Sequence, residues 1–317
     1  MDQGIKQGNE DILVTLSTFG AESDAPEKLL IESGLKYRIN PSGKRMEPHE
    51  VVEWGRNCRG LVAGVEKYTA ETMAEMPNLR CISRCGVGID SIDLAAAEQR
   101  GITILNTPDE PVIAVAELTL TMILALLRRL PEVNSLTRSR KWQRVTGSLL
   151  MGKTVGLIGL GRIGRRVAEL LQTFGAKVIG VDPYADEGWA QRQGILLRDL
   201  PGLLREADIV SIHATTSAEY PFKLGAKELS QMKEGSWVVN LSRGDMVDDV
   251  ALKEALDTGR LAGAGLDVFP EEPYRGCLCD SDRVILTPHQ ATLTKETRAA
   301  METHAVQNLV DYLQADG

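Results

Sequence analysis

Ionisable side chains follow several strand-like runs in the second half of this 317-residue sequence. Arg243 follows the apolar run SWVVNLS, Asp267 follows LAGAGL, and His289 follows VILTP. Glu272 lies in the intervening loop VFPEEP. Parallel strands present their carboxyl ends at one edge of a sheet, where ligands bind, so we expect these groups to gather there. Burial of a guanidinium such as that of Arg243 is costly unless an anion meets it, which indicates an anionic partner.

A glycine-rich motif upstream predicts a dinucleotide site. The pattern G-x-G-x-x-G at 159–164 follows the predicted strand TVGLI and opens a predicted helix, and an aspartate ends the next strand, AKVIGV. Such glycines permit a tight turn, close backbone approach to a pyrophosphate and close helix packing, while the helix N-terminus attracts phosphate. The aspartate accepts ribose hydroxyls and repels a 2′-phosphate, which favours NAD over NADP. The residues assigned to the cofactor are Gly159, Gly161, Arg162, Ile163, Gly164 and Asp182.

Alternatives to these assignments remain open at some positions. The segment GSLLMGKT at 147–154 matches the phosphate-loop pattern, but a strand follows it where a helix is required, so we reject that interpretation. A glycine turn without a ligand would explain the second motif as packing alone. His213, after the run ADIVSI, either lines the nicotinamide pocket or simply ends a strand. Arg162 either contacts the pyrophosphate or is an exposed arginine at a helix start.

The alternation of β-rich and helical runs predicts an α/β fold with two doubly wound parallel sheets. The first series of strands ends at Asn106, and the second runs from Thr154 to TPH at 287–289. We expect a smaller substrate domain at 1–107 and 292–317, flavodoxin-like in its winding, into which a Rossmann NAD domain at 108–291 is inserted. The intervening run at 114–130 is apolar on nearly every face, which predicts a buried helix between domains or between subunits.

Composition restricts the class of protein. A net charge of −8 without a basic patch argues against nucleic-acid and membrane-surface partners. The sequence shows neither a signal peptide nor an apolar run of transmembrane length. Five cysteines match no zinc or disulfide framework, which indicates free thiols in a reducing, cytoplasmic compartment and no metal site.

Six segments together resemble one family, the D-isomer-specific 2-hydroxyacid dehydrogenases. They cover most of the chain in the family's order, and none would suffice alone. The segments are RCGVGIDSID (84–93), NTP with VAELTLTMILALLRR (106–129), GKTVGLIGLGRIGRRVA (152–168), VVNLSRGDMVDDVALKEAL (238–256), GAGLDVFPEEP (263–273) and TPH (287–289). The resemblance implies an NAD-dependent enzyme that transfers a hydride between NAD(H) and a D-2-hydroxyacid/2-keto acid pair.

The resemblance also implies roles for individual residues. Arg243 is similar to the clamp of the substrate carboxylate and keto oxygen, and His289 to the acid/base that exchanges a proton with that oxygen. Glu272 matches the partner carboxylate, which favours the imidazolium and orients it. Asp267 is similar to the residue that anchors the nicotinamide. Val87 and Gly88 match a loop whose backbone N–H groups bind the substrate carboxylate.

The first hundred residues resemble the phosphoglycerate dehydrogenase-like branch of the family most. Lys67, in GVEKYT, would then meet a second anionic group of the substrate, although an exposed lysine without a ligand is the plainer interpretation. The chain ends where the closing helix of the fold should, so we expect no C-terminal regulatory domain. The family's glycine-rich turn after the acid/base histidine is replaced here by Gln290-Ala291-Thr292, which puts the pocket size in question.

Other functions remain possible on this fold. The pair of 3-phosphoglycerate and 3-phosphohydroxypyruvate is one candidate substrate pair, and glyoxylate or hydroxypyruvate reduction is the alternative. A formate dehydrogenase usually carries glutamine at the position of Glu272, so the carboxylate speaks against it. A non-catalytic NAD-sensing interaction protein would keep much of the same set of residues. The apolar helix predicted at 114–130 favours a homodimer.

Overall fold

The computed structural model describes residues 10–215 and 221–315. The strands are β1 (Ile12–Val14), β2 (Tyr37–Ile39), β3 (Gly60–Ala63), β4 (Cys81–Arg84), β5 (Thr103–Asn106), β6 (Thr154–Ile158), β7 (Lys177–Val181), β8 (Leu196–Leu197), β9 (Ile209–Ile212), β10 (Ser236–Asn240), β11 (Leu261–Leu266) and β12 (Val284–Leu286). The helices are α1 (Ala25–Ser33), α2 (Pro48–Gly55), α3 (Ala70–Ala74), α4 (Leu94–Gln99), α5 (Pro111–Leu127), α6 (Leu130–Arg138), α7 (Arg162–Thr173), α8 (Glu187–Arg192), α9 (Leu200–Glu206), α10 (Ala226–Gln231), α11 (Asp249–Asp257) and α12 (Lys295–Ala315). Single 3₁₀ turns cover Gly244–Met246 and Cys277–Asp280.

The chain divides into two compact units. Unit 1 comprises Met1–Pro111 with Leu293–Gly317, and unit 2 comprises Val112–Thr292. The boundaries predicted from the sequence lie at 107/108 and 291/292. Each unit contains one parallel sheet with helices on both faces, so the predicted α/β fold class is confirmed.

Unit 1 contains a parallel sheet whose described strands run in the order β2-β1-β3-β4-β5. Alternate residues of β1 point to opposite faces, as the period of a strand requires. Leu13 belongs to the core with α2, α3 and α4, whereas Ile12 and Val14 belong to the core with α1 and α12. Both faces are therefore covered, which explains why these short strands are apolar throughout.

Unit 2 contains a parallel sheet whose described strands run in the order β12-β11-β10-β9-β6-β7-β8. One face packs against α5 and α7, and the other packs against α9, α10 and α11. The chain moves outward from β6 to β8 on one side and then returns to β9 on the other. The winding thus reverses between β6 and β9, where ligands bind in folds of this class.

The apolar run at 114–130 is largely α5, which ends at Leu127. Met122 and Ile123 are almost fully buried in the core of unit 2, whereas Ile113 and Leu130, the first residue of α6, are more than half exposed. Among the described residues, no single helix has the length and apolar composition to cross a membrane. The helices α5 and α6, which are bent by 62° relative to each other, have that length and composition only when they are taken together.

Candidate active site

The glycine turn after β6 has the geometry that a dinucleotide requires. Gly159 has a φ of +97°, which favours glycine, and a Cβ on Gly164 would overlap the carbonyl oxygen of Gly159. Around Gly161, by contrast, no described atom lies within 4 Å of the place a Cβ would take. The N-cap residue of α7 is Gly161, which supplies no side-chain cap, so a phosphate can take that place at the start of the helix. Arg162 is exposed there and Ile163 is half-buried.

Asp182 follows β7 and lies next to the glycine turn. Its Oδ2 accepts a hydrogen bond from Leu160 N at 2.7 Å, and its Oδ1 accepts one from Tyr184 N at 2.7 Å. These two bonds fix the carboxylate at the ends of two neighbouring strands while leaving it half-exposed. The glycine motif predicts only that an acid lies near the ribose. The hydrogen bond between Asp182 and Leu160 is seen only in the structure.

His213 follows β9, on the other side of the point where the winding reverses. A Cβ on Gly159 would meet the carbonyl carbon of His213 at 2.7 Å, so the histidine backbone lies against the glycine turn. Its Nε2 lies 2.8 Å from Ser211 Oγ. Burial lowers the pKa of His213 to about 4, so the imidazole is neutral at pH 7. Residues 216–220, which follow, lie outside the described part of the chain.

Arg243 is presented by a turn that a buried asparagine shapes. Asn240, at the tip of β10, donates from Nδ2 to the carbonyl oxygen of Arg243 at 2.8 Å, and its Oδ1 accepts from Ser242 N at 3.0 Å. The half-buried Arg243 also donates from Nη1 to Ser242 O at 2.8 Å. At Gly244 a Cβ would overlap the backbone of Phe269, so the loops after β10 and β11 are in close contact.

His289 and Glu272 form a hydrogen-bonded pair. His289 Nδ1 lies 2.9 Å from Glu272 Oε2, and Glu272 Oε1 accepts from Phe269 N at 3.2 Å. The carboxylate thus fixes the imidazole and selects the tautomer that carries its proton on Nδ1. The His289 side chain is 53% exposed, so its Nε2 edge is accessible for exchange of a proton. This pair fits an acid/base group with its orienting carboxylate.

The backbone of His289 is strained, and Asp267 holds it. His289 has a φ of +51°, an uncommon value for a residue with a side chain. Its N–H donates to Asp267 O at 2.8 Å, and the N–H groups of Gln290 and Ala291 donate to the Asp267 carboxylate at 2.8 and 2.9 Å. Thr287 Oγ1 donates to Asp267 Oδ1 at 2.5 Å. Asp267 is fully buried, and these donors compensate the loss of water around its carboxylate.

These contacts give Asp267 a function that its predicted role does not include. Its carboxylate accepts three hydrogen bonds from the loop that carries His289, and its contact with the nicotinamide stays a prediction. Asn240 and Thr287 were not singled out from the sequence. In the sequence each is only a polar residue at the end of an apolar run. Such residues also occur where a strand ends without any functional site, so the pattern does not identify them.

Unit 1 carries the predicted substrate loop after β4. Asn106 Nδ2 donates to Val87 O at 2.8 Å, and Gly86 N donates to Thr107 Oγ1 at 2.7 Å. The loop is therefore held by the last residue of β5 and by the residue that follows it. Within residues 10–215 and 221–315, the N–H groups of Val87 and Gly88 donate no hydrogen bond. Two free N–H groups next to glycines suit a carboxylate.

Lys67 lies in the neighbouring loop after β3 and is exposed. The next residues on either side are buried: Glu66 Oε2 accepts hydrogen bonds from Thr15 Oγ1 at 2.8 Å and from Tyr68 at 3.1 Å. Burial and the adjacent Glu66 raise the pKa of Tyr68, which therefore stays a neutral donor. The loop is thus anchored from inside while Lys67 points its charge to solvent.

Residues 120–291 match the model of the NAD binding domain of the D-isomer specific 2-hydroxyacid dehydrogenases. The chain belongs to this family. It is 37% identical over 260 residues to the D-3-phosphoglycerate dehydrogenase of Methanocaldococcus jannaschii, an alignment that covers 81% of this chain and 50% of the relative. The chain therefore spans about half the length of the curated relatives it matches.

Solved structures with the same fold cover nearly the whole chain. The TT0316 protein of Thermus thermophilus superposes with a TM-score of 0.88 at 34% identity, over 96% of this chain and 97% of its own. The D-lactate dehydrogenase of Aquifex aeolicus, complexed with NAD and lactic acid, gives a TM-score of 0.85 at 28% identity, over 96% of both chains. The family resemblance inferred from the sequence is thereby confirmed.

Proposed function

We propose that the protein is an NAD-dependent oxidoreductase that interconverts a D-2-hydroxyacid and the corresponding 2-keto acid. The observation that carries the proposal is the contact of 2.9 Å between His289 Nδ1 and Glu272 Oε2, on the same sheet edge as the glycine turn. The family match over residues 120–291 supports it. The open space at Gly161 and the uncapped start of α7 fit the cofactor's pyrophosphate.

Bound NAD(H) would supply or accept the hydride at the substrate's second carbon. In the direction of reduction, Arg243 pairs with the substrate carboxylate and polarises the keto oxygen, which gains negative charge as the hydride arrives. His289, protonated on both nitrogens, donates the Nε2 proton to that oxygen. Glu272 remains ionised and stabilises the imidazolium before the transfer. The reverse reaction takes the hydroxyl proton back onto Nε2.

For the substrate, we propose 3-phosphohydroxypyruvate and 3-phosphoglycerate. The 37% identity to a D-3-phosphoglycerate dehydrogenase supports this choice. The Val87 and Gly88 N–H groups would bind the carboxylate, and Lys67 would bind the phosphate. No carboxylate of the described residues forms an ion pair with Lys67, so its charge is available to a ligand.

NADH oxidation against a panel of keto acids tests both levels of this proposal. The panel contains 3-phosphohydroxypyruvate, hydroxypyruvate, glyoxylate, pyruvate and 2-oxoglutarate. We expect the highest kcat/KM for the phosphorylated substrate, and a tenfold or greater rise of its KM in Lys67→Met with no change for glyoxylate. Preference for glyoxylate or hydroxypyruvate would replace the substrate assignment. NADH binding without any turnover would favour a non-catalytic NAD-sensing protein.

We also propose a homodimer in which α5 and the following segment contact a second copy of the chain. The segment 139–148, which follows α6, contains no helix or strand. Its Trp142 is 89% exposed, and Leu149 and Met151, which come after the segment, are 69% and 71% exposed. Exposed apolar side chains that lie close together in the sequence are typical of an interface. Sedimentation velocity should show a dimer, and Trp142→Ser should weaken it, whereas Trp189→Ser on α8 should not. A monomer at micromolar concentration would refute the proposal.

A cytoplasmic location is likewise proposed, on the basis of the free cysteines. Cys58, Cys81 and Cys85 are buried, and burial raises the pKa of the Cys58 and Cys81 thiols to about 12. Thiols that remain protonated are inert packing groups. Cell fractionation tests the location, and recovery of the protein outside the cytoplasmic fraction would contradict it.

A further inference from the structure

A row of charged residues lies at the amino-terminal edge of the unit 1 sheet, opposite the edge that carries the Val87–Gly88 loop. Backbone bonds set these residues in register: Asp11 N donates to Lys36 O, Arg59 N to Asp11 O, and Arg80 N to Arg59 O, each at 2.8 Å. Across the strands β2, β1, β3 and β4 the row therefore reads Lys36, Asp11, Arg59, Arg80.

The register places two arginines beside each other. Neighbouring strands lie about 4.8 Å apart, and residues at the same register position point to the same face. Like charges at such positions destabilise a sheet. Arg59 and Arg80 are such a pair of like charges on neighbouring strands. Each is the last residue of an Asn-x-Arg segment that precedes its strand, at 57–59 and 78–80.

Two carboxylates, Asp11 and Glu10, lie at this edge, and neither forms an ion pair with Arg59 or Arg80. Among residues 10–215 and 221–315, none forms an ion pair with Lys36, Arg59 or Arg80. Glu10, the other acid at this edge, is bound to Arg38 at 2.6 Å. Asp11 uses Oδ2 to accept the backbone N–H of Lys36 at 3.1 Å. The positive charge of the row thus exceeds the negative charge available to it.

The row lines a cavity of about 410 Å³, and its wall also contains Asn57, Asn78 and Glu10, the last paired with Arg38. We propose that this cavity, the amino-edge pocket, binds a small anion with several charges, such as pyrophosphate or a phosphate ester. Two arginine forks side by side match the oxygens of such an anion and would exchange mutual repulsion for charge-assisted hydrogen bonds. Because the chain carries a net charge of −8, binding depends on these local contacts rather than on long-range attraction.

The pocket is separate from the proposed substrate loop. The strands between the two edges contain three or four residues, a distance of about 10 to 13 Å along the sheet. An anion in the pocket therefore does not touch Val87 or Gly88, and its binding is measurable without any turnover.

Calorimetric titration of the 317-residue protein with inorganic pyrophosphate at low salt tests the proposal. The variant Arg59→Gln/Arg80→Gln removes both arginine forks. The control Arg100→Gln/Arg205→Gln removes two exposed arginines that form no ion pair with the described residues, and it removes the same amount of charge. We expect the control to bind like the wild type and the pocket variant to lose one equivalent or bind it at least tenfold more weakly. Pyrophosphate at the glycine turn would be common to both variants and would cancel in the comparison.

Thermal unfolding shows whether the pocket variant is folded. Without the anion, Arg59→Gln/Arg80→Gln should melt at the same temperature as the wild type or higher, because a repulsion is removed. With pyrophosphate, the wild type and the control should gain more in Tm than the pocket variant does. Equal binding by the pocket variant and the control, or no binding by the wild type, would overturn the proposal.

Discussion

The carboxyl edges of the two sheets differ in how their polar groups are used. In unit 2, the groups at the strand ends bind one another: Glu272 contacts His289, and Asp267 holds the loop around it. In unit 1, the loop is held through Gly86 N and the carbonyl oxygen of Val87, whereas the Val87 and Gly88 N–H groups donate to none of the described residues. A proton-transferring group must be oriented before the substrate arrives, whereas an anion site must keep its donors for the ligand. The edge of unit 2 therefore suits proton transfer, and the edge of unit 1 suits the binding of an anion.

Among the substitutions that test this difference between the two edges, removal of the His289 imidazole should have the largest effect. His289→Ala should lower kcat about 1,000-fold, because the proton then has to come from water. NADH binding, measured by fluorescence, should stay within about twofold of the wild type. His49→Ala, on the exposed face of α2, is the control and should retain full activity. A His289→Ala enzyme with wild-type kcat would show that the oriented pair in unit 2 does not transfer the proton.

The next largest effect concerns stability at low pH. Burial lowers the pKa of His213 to about 4 in the folded state, against about 6.5 for a histidine in water. The unfolded chain therefore binds more protons between these values, so the free energy of unfolding falls as the pH drops from about 6.5 to about 4, by at most about 3 kcal/mol. Urea unfolding at pH 7 and pH 5 measures it. His213→Gln should flatten this part of the profile, and an unchanged slope would count against a neutral imidazole at this half-buried position.

The loop held by Asp267 should respond to loss of a charge. Asp267→Asn presents an amide nitrogen to groups that are donors, so the free energy of unfolding should fall by about 2 kcal/mol and kcat should fall with it. Thr287→Val removes one donor and leaves the two backbone bonds, so its cost should be about 1 kcal/mol. If Asp267→Asn changed only NADH affinity and neither stability nor kcat, the residue would serve the cofactor rather than the loop.

The smallest effect belongs to unit 1. Asn106→Ala removes the bond to Val87 O, so the loop should lose order and the KM for the keto acid should rise about fivefold with kcat nearly unchanged. A fall in kcat at constant KM would contradict a role confined to substrate binding and would weaken the contrast between the two edges.

Periodicity and motif spacing were sufficient for the α/β fold and for most strands, since both faces of each sheet are covered and apolar runs mark the strands. The strand β8 could not be predicted in this way, because its two residues, Leu196–Leu197, are too few to show a period. The positive φ of His289 also escapes it, since residues with side chains rarely adopt this conformation and no motif announces it.

The site residues divide in the same way. A glycine pattern with an acid at the end of the next strand locates Gly159, Gly161, Gly164 and Asp182, because each position has a distinct steric or electrostatic requirement. The bonds of Asp267 to the His289 loop depend on which strands are neighbours, and that is a property of the sheet order. The arginine row at the amino edge follows from register, which strands of three or four residues do not reveal in sequence.

Transfer of deuterium from NADH that carries deuterium at both hydrogen positions of the reactive ring carbon tests the central claim most directly. The labelled cofactor is incubated with the protein and the best keto acid of the panel, and the product is analysed by mass spectrometry and chiral chromatography. The proposed function predicts one deuterium at the second carbon of the product and the D configuration. Consumption of the keto acid without deuterium at that carbon, or an L product, would contradict it.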